Sequence, residues 1–286
     1  MSDILNNNYN NLYPHEGSII EFFAERFSSA FITLLPFFQV ENQNNSGNFK
    51  KSKIISFEEA QKDIDVLKNI QSPNATIYSY SNDDFPADEE VFHNGKRITW
   101  KDIVEKSGLK NEAELNKALR TSIGALREVF IQPKLAQKLQ DFTQSKQIYN
   151  PVEGSFDIIS KKAIYETLKK HGKNMVFVID EFYEKEKYLN LEQLTEWEFV
   201  EKIENGDKYI LSEDQKILFS IEWDSFFFII ASNNELIESI KTSELFEGFE
   251  CNSETTHNWD YDKGEIDKLL EIEKRTTSKS WWKFWK

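Results

Sequence analysis

The chain has 286 residues, 39% of them hydrophobic and 29% charged, and a formal net charge of −14, a composition typical of a globular protein rather than of a disordered chain. A single cysteine, Cys251, excludes an internal disulfide. The polar stretch Met1–Tyr13 lacks the basic and apolar regions of a secretory signal, and no apolar run approaches the roughly 20 residues of a membrane-spanning helix, so we expect a cytoplasmic protein.

The first half of the chain is predicted to be mainly helical. Residues 1–15 are polar and are expected to be disordered, and Ala30–Val40 is a strand-like run interrupted by a proline. His93–Lys96 has the composition of a tight turn. Apolar side chains recur at three- and four-residue spacing over Asn111–Phe130, which predicts one continuous amphipathic helix, and Pro133 begins another.

The second half changes to strands joined by short turns. Met175–Ile179 is a near-continuous apolar run and predicts a buried strand. After a turn at Asn205–Asp207 come further strand candidates at Lys208–Leu211, Ile217–Trp223 and Ser225–Ala231, and an edge-strand candidate at Phe246–Cys251. Strands with short connections are antiparallel neighbours, and helical patterns before and after them predict an α+β fold rather than a doubly wound parallel sheet.

A change in composition and charge near Tyr149–Pro151 is the predicted boundary within the chain. We expect a disordered N-terminus over residues 1–15, a helical lobe over 16–150, an acidic α+β lobe over 151–262, and a C-terminal helix with a basic aromatic tail over 263–286. The two lobes are either separate domains or halves of one composite domain.

Negative charge is concentrated in the second half. Residues 151–273 contain 29 Asp and Glu against 13 Lys and Arg, whereas residues 274–286 contain five basic residues and no acidic one. An acidic surface repels the phosphate backbone, which disfavours nucleic acid, and it attracts a basic protein. The alternative interpretation is that the acidity only maintains solubility.

The motifs of common cofactor and nucleophile sites are missing. No Gly-x-Gly and no P-loop sequence occurs, so the glycine-rich loops that bind dinucleotides and nucleotide phosphates are not present. The four histidines are dozens of residues apart and form no local pair of zinc ligands, so we expect no cofactor and no structural metal. Acidic neighbours would raise the pKa of Cys251, which favours a structural cysteine over a nucleophile paired with His257.

Three carboxylates stand out by position. Asp180 and Glu181 directly follow the predicted strand Met175–Ile179, and Asp224 lies between two apolar strands. Carboxylates at strand ends hold divalent ions in many hydrolases, so a divalent-metal-dependent hydrolase is the alternative function. The same three residues are our candidates for a partner-binding surface. The competing interpretation is that they mark a strand exit and a turn.

The chain closes with a basic aromatic tail. Its residues include Trp281, Trp282, Lys283, Phe284 and Trp285. Aromatic rings flanked by lysines suit the interface of an anionic membrane, so peripheral membrane contact is one expectation. Docking to another protein, folding back onto the acidic lobe and the absence of any role are the alternatives.

Four segments carry a resemblance when they are taken together. They are Ile98–Leu109, Ala118–Arg127, Tyr149–Glu153 and Trp223–Phe227. They resemble an uncharacterised family of Gram-positive bacterial proteins known only as a domain of unknown function. The resemblance spans roughly residues 20–262 and leaves the tail outside. It implies no activity and no catalytic residue, because the family has none established.

The sequence therefore predicts an intracellular binding or regulatory protein without catalysis, whose acidic lobe recognises a basic partner. One specific form is an immunity-type protein that neutralises a basic toxin domain, because opposite charges give fast association.

Overall fold

The chain divides into two units, each built from segments that are distant in the sequence. The computed structural model describes residues 11–40, 54–56, 76–78, 85–124 and 126–281. The first unit comprises Met1–Gln43, Pro86–Trp100 and Tyr149–Asn258, and the second comprises Asn44–Phe85, Lys101–Ile148 and Trp259–Lys286. The first unit thus takes segments from both sides of the boundary that the sequence predicts near residue 150.

A seven-stranded antiparallel sheet organises the first unit. Its strands are β1 Ser29–Leu34, β6 Met175–Asp180, β7 Glu186–Asn190, β8 Asp207–Ser212, β9 Leu218–Ile221, β10 Phe227–Ser232 and β11 Gly248–Glu250. Across the sheet they follow the order β11, β1, β10, β9, β8, β6, β7. Every neighbouring pair is antiparallel, and the predicted α+β class is confirmed.

Burial distinguishes the central strands from the edge strands. Strands β1, β8, β9 and β10 are buried along their whole length, whereas β7 and β11 at the edges are partly exposed. Strand β7 was not predicted, because an edge strand carries charged residues and gives no apolar run. Strand β1 comes from the first half of the chain and pairs with β10 in the register Phe31 to Ile230.

Short helices complete the first unit. They are α1 Ile19–Phe23, α2 Asp88–Asn94, α6 Ile158–Lys170, α7 Glu196–Lys202 and α8 Asn234–Lys241, and a small ribbon pairs β2 Phe37–Val40 with β5 Gly95–Ile98. Ile164, Phe199 and Ile237 from three of these helices join the strand residues Val178 and Phe219 in one buried cluster. Helices α6, α7 and α8 therefore cover one face of the sheet.

The second unit is mainly helical. It contains α3 Trp100–Ser107, whose first residue belongs to the first unit, α4 Glu112–Ser122, α5 Pro133–Lys146, α9 Glu265–Trp281 and the paired strands β3 Ile54–Ser56 and β4 Thr76–Tyr78. The continuous helix predicted over Asn111–Phe130 is wrong. Helix α4 ends at Ser122 because Gly124 adopts a φ of +72°, and a short 3₁₀ turn over Glu128–Phe130 follows.

Two further expectations differ from the structure. Leu12 and Tyr13 are buried, so residues 11–15 depart from the predicted disordered N-terminus. The predicted turn at His93–Lys96 is instead the end of α2 followed directly by β5. Within the described ranges, no helix combines the length and the apolarity that crossing a bilayer requires.

Candidate functional site

The turn between β6 and β7 presents an aromatic side chain at one end of the sheet. Asp180 organises this turn, because its Oδ1 accepts hydrogen bonds from the backbone N–H groups of Glu184 (2.8 Å) and Lys185 (3.0 Å). Tyr183 adopts a φ of +57°, which is uncommon for a residue other than glycine. This backbone path leaves Phe182 in solvent, with 71% of its surface exposed.

The turn between β9 and β10 lies at the same end of the sheet, because β6 and β9 both end there while β8 and β10 begin. Trp223 is 61% exposed in this turn, and Asp224 adopts a φ of +58°. Gly154 supports the turn from outside. Its N–H donates to the carbonyl of Ser225 (2.8 Å), and a Cβ at Gly154 would lie 3.3 Å from the Cα of Trp223.

Both turns line a cavity of about 310 Å³. Its lining consists of Asn11, His15, Glu181, Phe182, Tyr183, Lys208, Tyr209, Ile221, Glu222 and Trp223. The rings of Tyr183 and Tyr209 stack with their centroids 5.1 Å apart and form one wall, and burial raises the pKa of Tyr209. We call the group Glu181, Phe182, Glu222 and Trp223 the Phe182–Trp223 site.

Two neighbouring carboxylates give the Phe182–Trp223 site its charge. Burial raises the pKa of Glu222, the facing His15 opposes that rise, and the nearby Glu181 adds to it. The Nδ1 atom of His15 lies 3.0 Å from Oε2 of Glu222. The Glu181 carboxylate makes no hydrogen bond or ion pair within the described part of the chain. One of the two carboxylates therefore has a direct histidine partner, and the other has no such contact among these residues.

Lys208 places an ammonium group behind the site but uses it for internal contacts. The side chain is buried, and its Nζ donates to the carbonyls of Gly154 and Asn205 (3.3 Å to the latter). The same atom lies 5.2 Å from the centroid of the Trp223 ring. Burial lowers the pKa of Lys208, and nearby carboxylates, including that of Glu181, oppose this. Lys208 therefore holds the backbone at Gly154 and Asn205 rather than neutralising the carboxylates by direct contact.

The three carboxylates singled out from the sequence have different positions. Glu181 lines the cavity and Asp224 lies in the β9–β10 turn, so the sheet brings them to the same end. Asp180 instead holds the β6–β7 turn through its two backbone contacts. Their assignment to partner binding stays a prediction.

Sequence reasoning missed the carboxylate of Glu222 and the aromatic and basic members of this cavity, namely His15, Phe182, Tyr183, Lys208, Tyr209 and Trp223. A signal for the rings exists in the sequence, because Glu181-Phe182 and Glu222-Trp223 both place an aromatic residue after an acidic one directly behind an apolar strand. No local signal points to His15, since its partner Glu222 is distant from it in the sequence.

Other candidate chemistry finds little support in the geometry. Among the described residues, no group of three or more His, Cys, Asp or Glu side chains is arranged to hold a metal ion. Burial raises the pKa of Cys251 to about 12, and its N–H donates to the carbonyl of Ala30 (2.8 Å). The Nδ1 atom of His257 is hydrogen-bonded to the hydroxyl of Tyr13 (2.8 Å). The Cys251 thiol is therefore a structural one.

A larger cavity of about 800 Å³ lies beside β11 in the first unit, and we call it the β11 cavity. Two of its three carboxylates, those of Glu247 and Glu250, have close internal partners. Glu247 accepts the backbone N–H of Trp100 (2.7 Å) and lies 3.9 Å from the guanidinium of Arg97. Glu250 accepts a hydrogen bond from Nζ of Lys241 (2.7 Å). These contacts fix the edge of the sheet.

The basic aromatic tail is mostly beyond the described ranges. Helix α9 ends at Trp281, and Trp282, Lys283, Phe284 and Trp285 lie outside the described residues. Contact of this tail with a membrane or a protein therefore stays a prediction.

Comparison with known proteins agrees with the resemblance found in the sequence. A relative described as "Uncharacterized protein YwbB", from Bacillus subtilis (strain 168), is 25% identical over 177 residues, which is 61% of this chain and 77% of the relative. No solved structure matches. The family model described as "Protein of unknown function (DUF2711)" matches residues 15–261, a range that includes the whole Phe182–Trp223 site. The chain therefore belongs to the DUF2711 family of proteins of unknown function.

Proposed function

We propose that this protein is a non-catalytic binding protein that recognises a positively charged segment of a protein partner at the Phe182–Trp223 site. The observation that carries the proposal is the combination of two exposed aromatic rings with two neighbouring carboxylates around one cavity. Aromatic anchors of this kind dominate the energetics of many interfaces, and complementary charge supplies specificity and speed of association.

The two rings provide the apolar part of the interaction. Phe182 and Trp223 keep most of their surface in water although they flank a cavity. Covering such rings releases about 25 cal/mol for each Å² of apolar surface removed from water. Both rings sit in hydrogen-bonded turns at the end of a sheet, so little conformational entropy is lost when a partner binds.

The wider charge of this region favours the same partner. Residues 151–273 carry 29 acidic against 13 basic side chains. A field of this sign accelerates the encounter with a basic protein and weakens as salt increases. In its more specific form, the proposal describes an immunity-type protein that neutralises a basic toxin domain.

The proposal can be tested with a short peptide that alternates arginine and lysine, titrated into the full chain by calorimetry. We expect saturable binding with one site per chain that weakens as salt rises, and no binding of the matching glutamate peptide. Glu222→Gln and Trp223→Ala should weaken it roughly tenfold each, because a desolvated charge contact or an aromatic anchor contributes on the order of 1–2 kcal/mol.

Two matched variants control for general effects of charge and apolar surface. Glu235→Gln removes an exposed carboxylate from α8, which begins beyond the opposite end of β10. Ile272→Ala removes an exposed apolar side chain from α9 in the second unit. Both should bind the basic peptide like the unaltered chain. Equal weakening by Glu235→Gln and Glu222→Gln, or the absence of saturable binding, would refute the proposal.

A further inference from the structure

The carboxylate of Glu222 already faces a histidine that the chain itself supplies. The contact between His15 Nδ1 and Glu222 Oε2 is 3.0 Å, and 54% of the His15 side chain is exposed. The neighbouring Tyr13 is buried, and its ring centroid lies 5.4 Å from that of His15. His15 thus projects from a fixed segment into the mouth of the cavity.

This internal contact is a weak one. Only 23% of the Glu222 side chain is exposed, but the His15 side chain is 54% exposed and is charged only when it is protonated. Ion pairs with such an exposed partner contribute roughly 0.2–1 kcal/mol. Despite His15, the pKa of Glu222 remains above its ordinary value because burial and Glu181 outweigh the histidine. Lys208 does not serve as the cation partner of Glu222, because its ammonium group donates to two backbone carbonyls. A stronger cation can therefore replace His15 as the partner of the Glu222 carboxylate.

We infer that the Phe182–Trp223 site binds the guanidinium group of an arginine, and that this guanidinium displaces the side chain of His15 from Glu222. We call His15 in this role the internal placeholder. The inference rests on the proposed function and narrows it to one side chain and one regulatory contact. It makes the histidine a competitor of the partner rather than a member of the recognition surface.

The shape of guanidinium suits this site better than that of ammonium. A guanidinium is planar, stacks on aromatic rings, and presents a fork of N–H donors to carboxylates. The site offers both features, with the exposed rings of Phe182 and Trp223 next to the Glu181 and Glu222 carboxylates. An ammonium group on a flexible chain gains the charge but not the stacking of a flat group.

The test uses three peptides of one glycine-based sequence that differ at a single position, which holds arginine, lysine or the neutral arginine analogue citrulline. Their binding to the full chain is followed by two-dimensional NMR. We expect the arginine peptide to bind at least tenfold more tightly than the citrulline peptide and several-fold more tightly than the lysine peptide.

The placeholder is tested with His15→Ala and, in case this variant unfolds, with His15→Gln. Either should strengthen binding of the arginine peptide roughly two- to fivefold, which is the fold-change equivalent to losing a competing surface ion pair. His93→Ala, which removes an exposed histidine outside the cavity lining, should leave the affinity unchanged.

The outcomes separate the inference from the function on which it rests. Equal binding of the arginine and citrulline peptides, or weaker binding after loss of His15, would overturn the inference while the peptide of alternating arginine and lysine still binds. If that peptide also fails to bind, the proposed function itself is wrong.

Discussion

The two cavities of the first unit differ in how their carboxylates are used. In the β11 cavity, Glu247 and Glu250 are held by hydrogen bonds and cations from the chain itself. In the smaller cavity, Glu222 faces the half-exposed His15 and the backbone of Trp223, and the carboxylate of Glu181 has no hydrogen bond or ion pair among the described residues. The larger cavity therefore uses two of its carboxylates to hold the edge of the sheet, while the smaller one combines its carboxylates with two exposed aromatic rings. The proposed binding site therefore follows from the exposed rings and the carboxylates beside them, and not from the volume of the cavity.

The largest expected effect concerns stability and separates the two cavities directly. Glu247→Ala removes the acceptor of the Trp100 N–H and the carboxylate facing Arg97, so we expect the free energy of unfolding to fall by about 1–3 kcal/mol. Glu222→Ala removes the contact with His15 and a hydrogen bond with the backbone of Trp223, but it also relieves burial of the carboxylate and repulsion from Glu181. Because these changes offset each other, we expect a net change within about 0.5 kcal/mol. Urea unfolding of both variants measures this difference. Similar losses would mean that Glu222 is a structural residue as well.

A second, smaller effect concerns the support of the β9–β10 turn. Gly154 and Gly172 both have a left-handed backbone, with φ of +62° and +66°, but only Gly154 has neighbouring atoms where a Cβ would lie. Gly172→Ala should cost about 1 kcal/mol through backbone strain, and Gly154→Ala about 2 kcal/mol because contact with Trp223 is added. Urea unfolding gives both values.

The same pair of variants also probes binding. Only Gly154→Ala displaces the backbone beside Trp223, so only this variant should weaken binding of the peptide of alternating arginine and lysine. Equal losses of stability and unchanged binding in both variants would show that the turn does not depend on Gly154.

The smallest expected effect is a difference in titration. Burial raises the pKa of Glu222, whereas the hydrogen bond from Lys241 lowers that of Glu250. The contribution of Glu222 to stability is therefore present below its unfolded pKa and lost as the pH rises through its folded pKa. For Glu250 the contribution is present above the unfolded pKa and lost as the pH falls through the folded one.

Carboxyl-carbon NMR shifts recorded against pH will report both groups directly. We expect Glu222 to titrate above, and Glu250 below, an ordinary glutamate. In the Glu222→Gln variant, stability should no longer decrease over the pH range in which Glu222 ionises. A Glu222 carboxyl that titrates below an ordinary glutamate would contradict the description of Glu222 as a group whose burial outweighs its contact with His15.

Much of the sheet could be predicted from the sequence, because a buried strand is visible as a local run of apolar residues. Two apolar runs bounded by turns are Met175–Ile179 and Ser225–Ala231, and their burial can be predicted from their local composition. The position of β1 between β10 and β11 cannot be predicted in this way, because it depends on pairing between distant segments. The end of α4 at Ser122 was missed because apolar spacing continues past the residue where Gly124 changes the backbone.

The candidate site was predicted only in part. Glu181 and Asp224 drew attention as carboxylates at strand ends, and the antiparallel sheet does bring these ends together. Asp180 has the same sequence signature but uses its carboxylate on backbone N–H groups, a role that depends on the exact path of the turn. The contact of His15 with Glu222 joins distant parts of the chain, so no spacing rule could have found it.

Cys251 has a consequence for how motion in this fold can be followed. It is the chain's one cysteine, it is covered by the protein, and its N–H is bonded to β1 through Ala30. With a pKa of about 12, its thiol stays protonated and unreactive near neutral pH while the edge is closed. The rate at which Cys251 is alkylated therefore reports how often strand β11 separates transiently from β1. The measurement needs no engineered label, and no second thiol contributes to the signal.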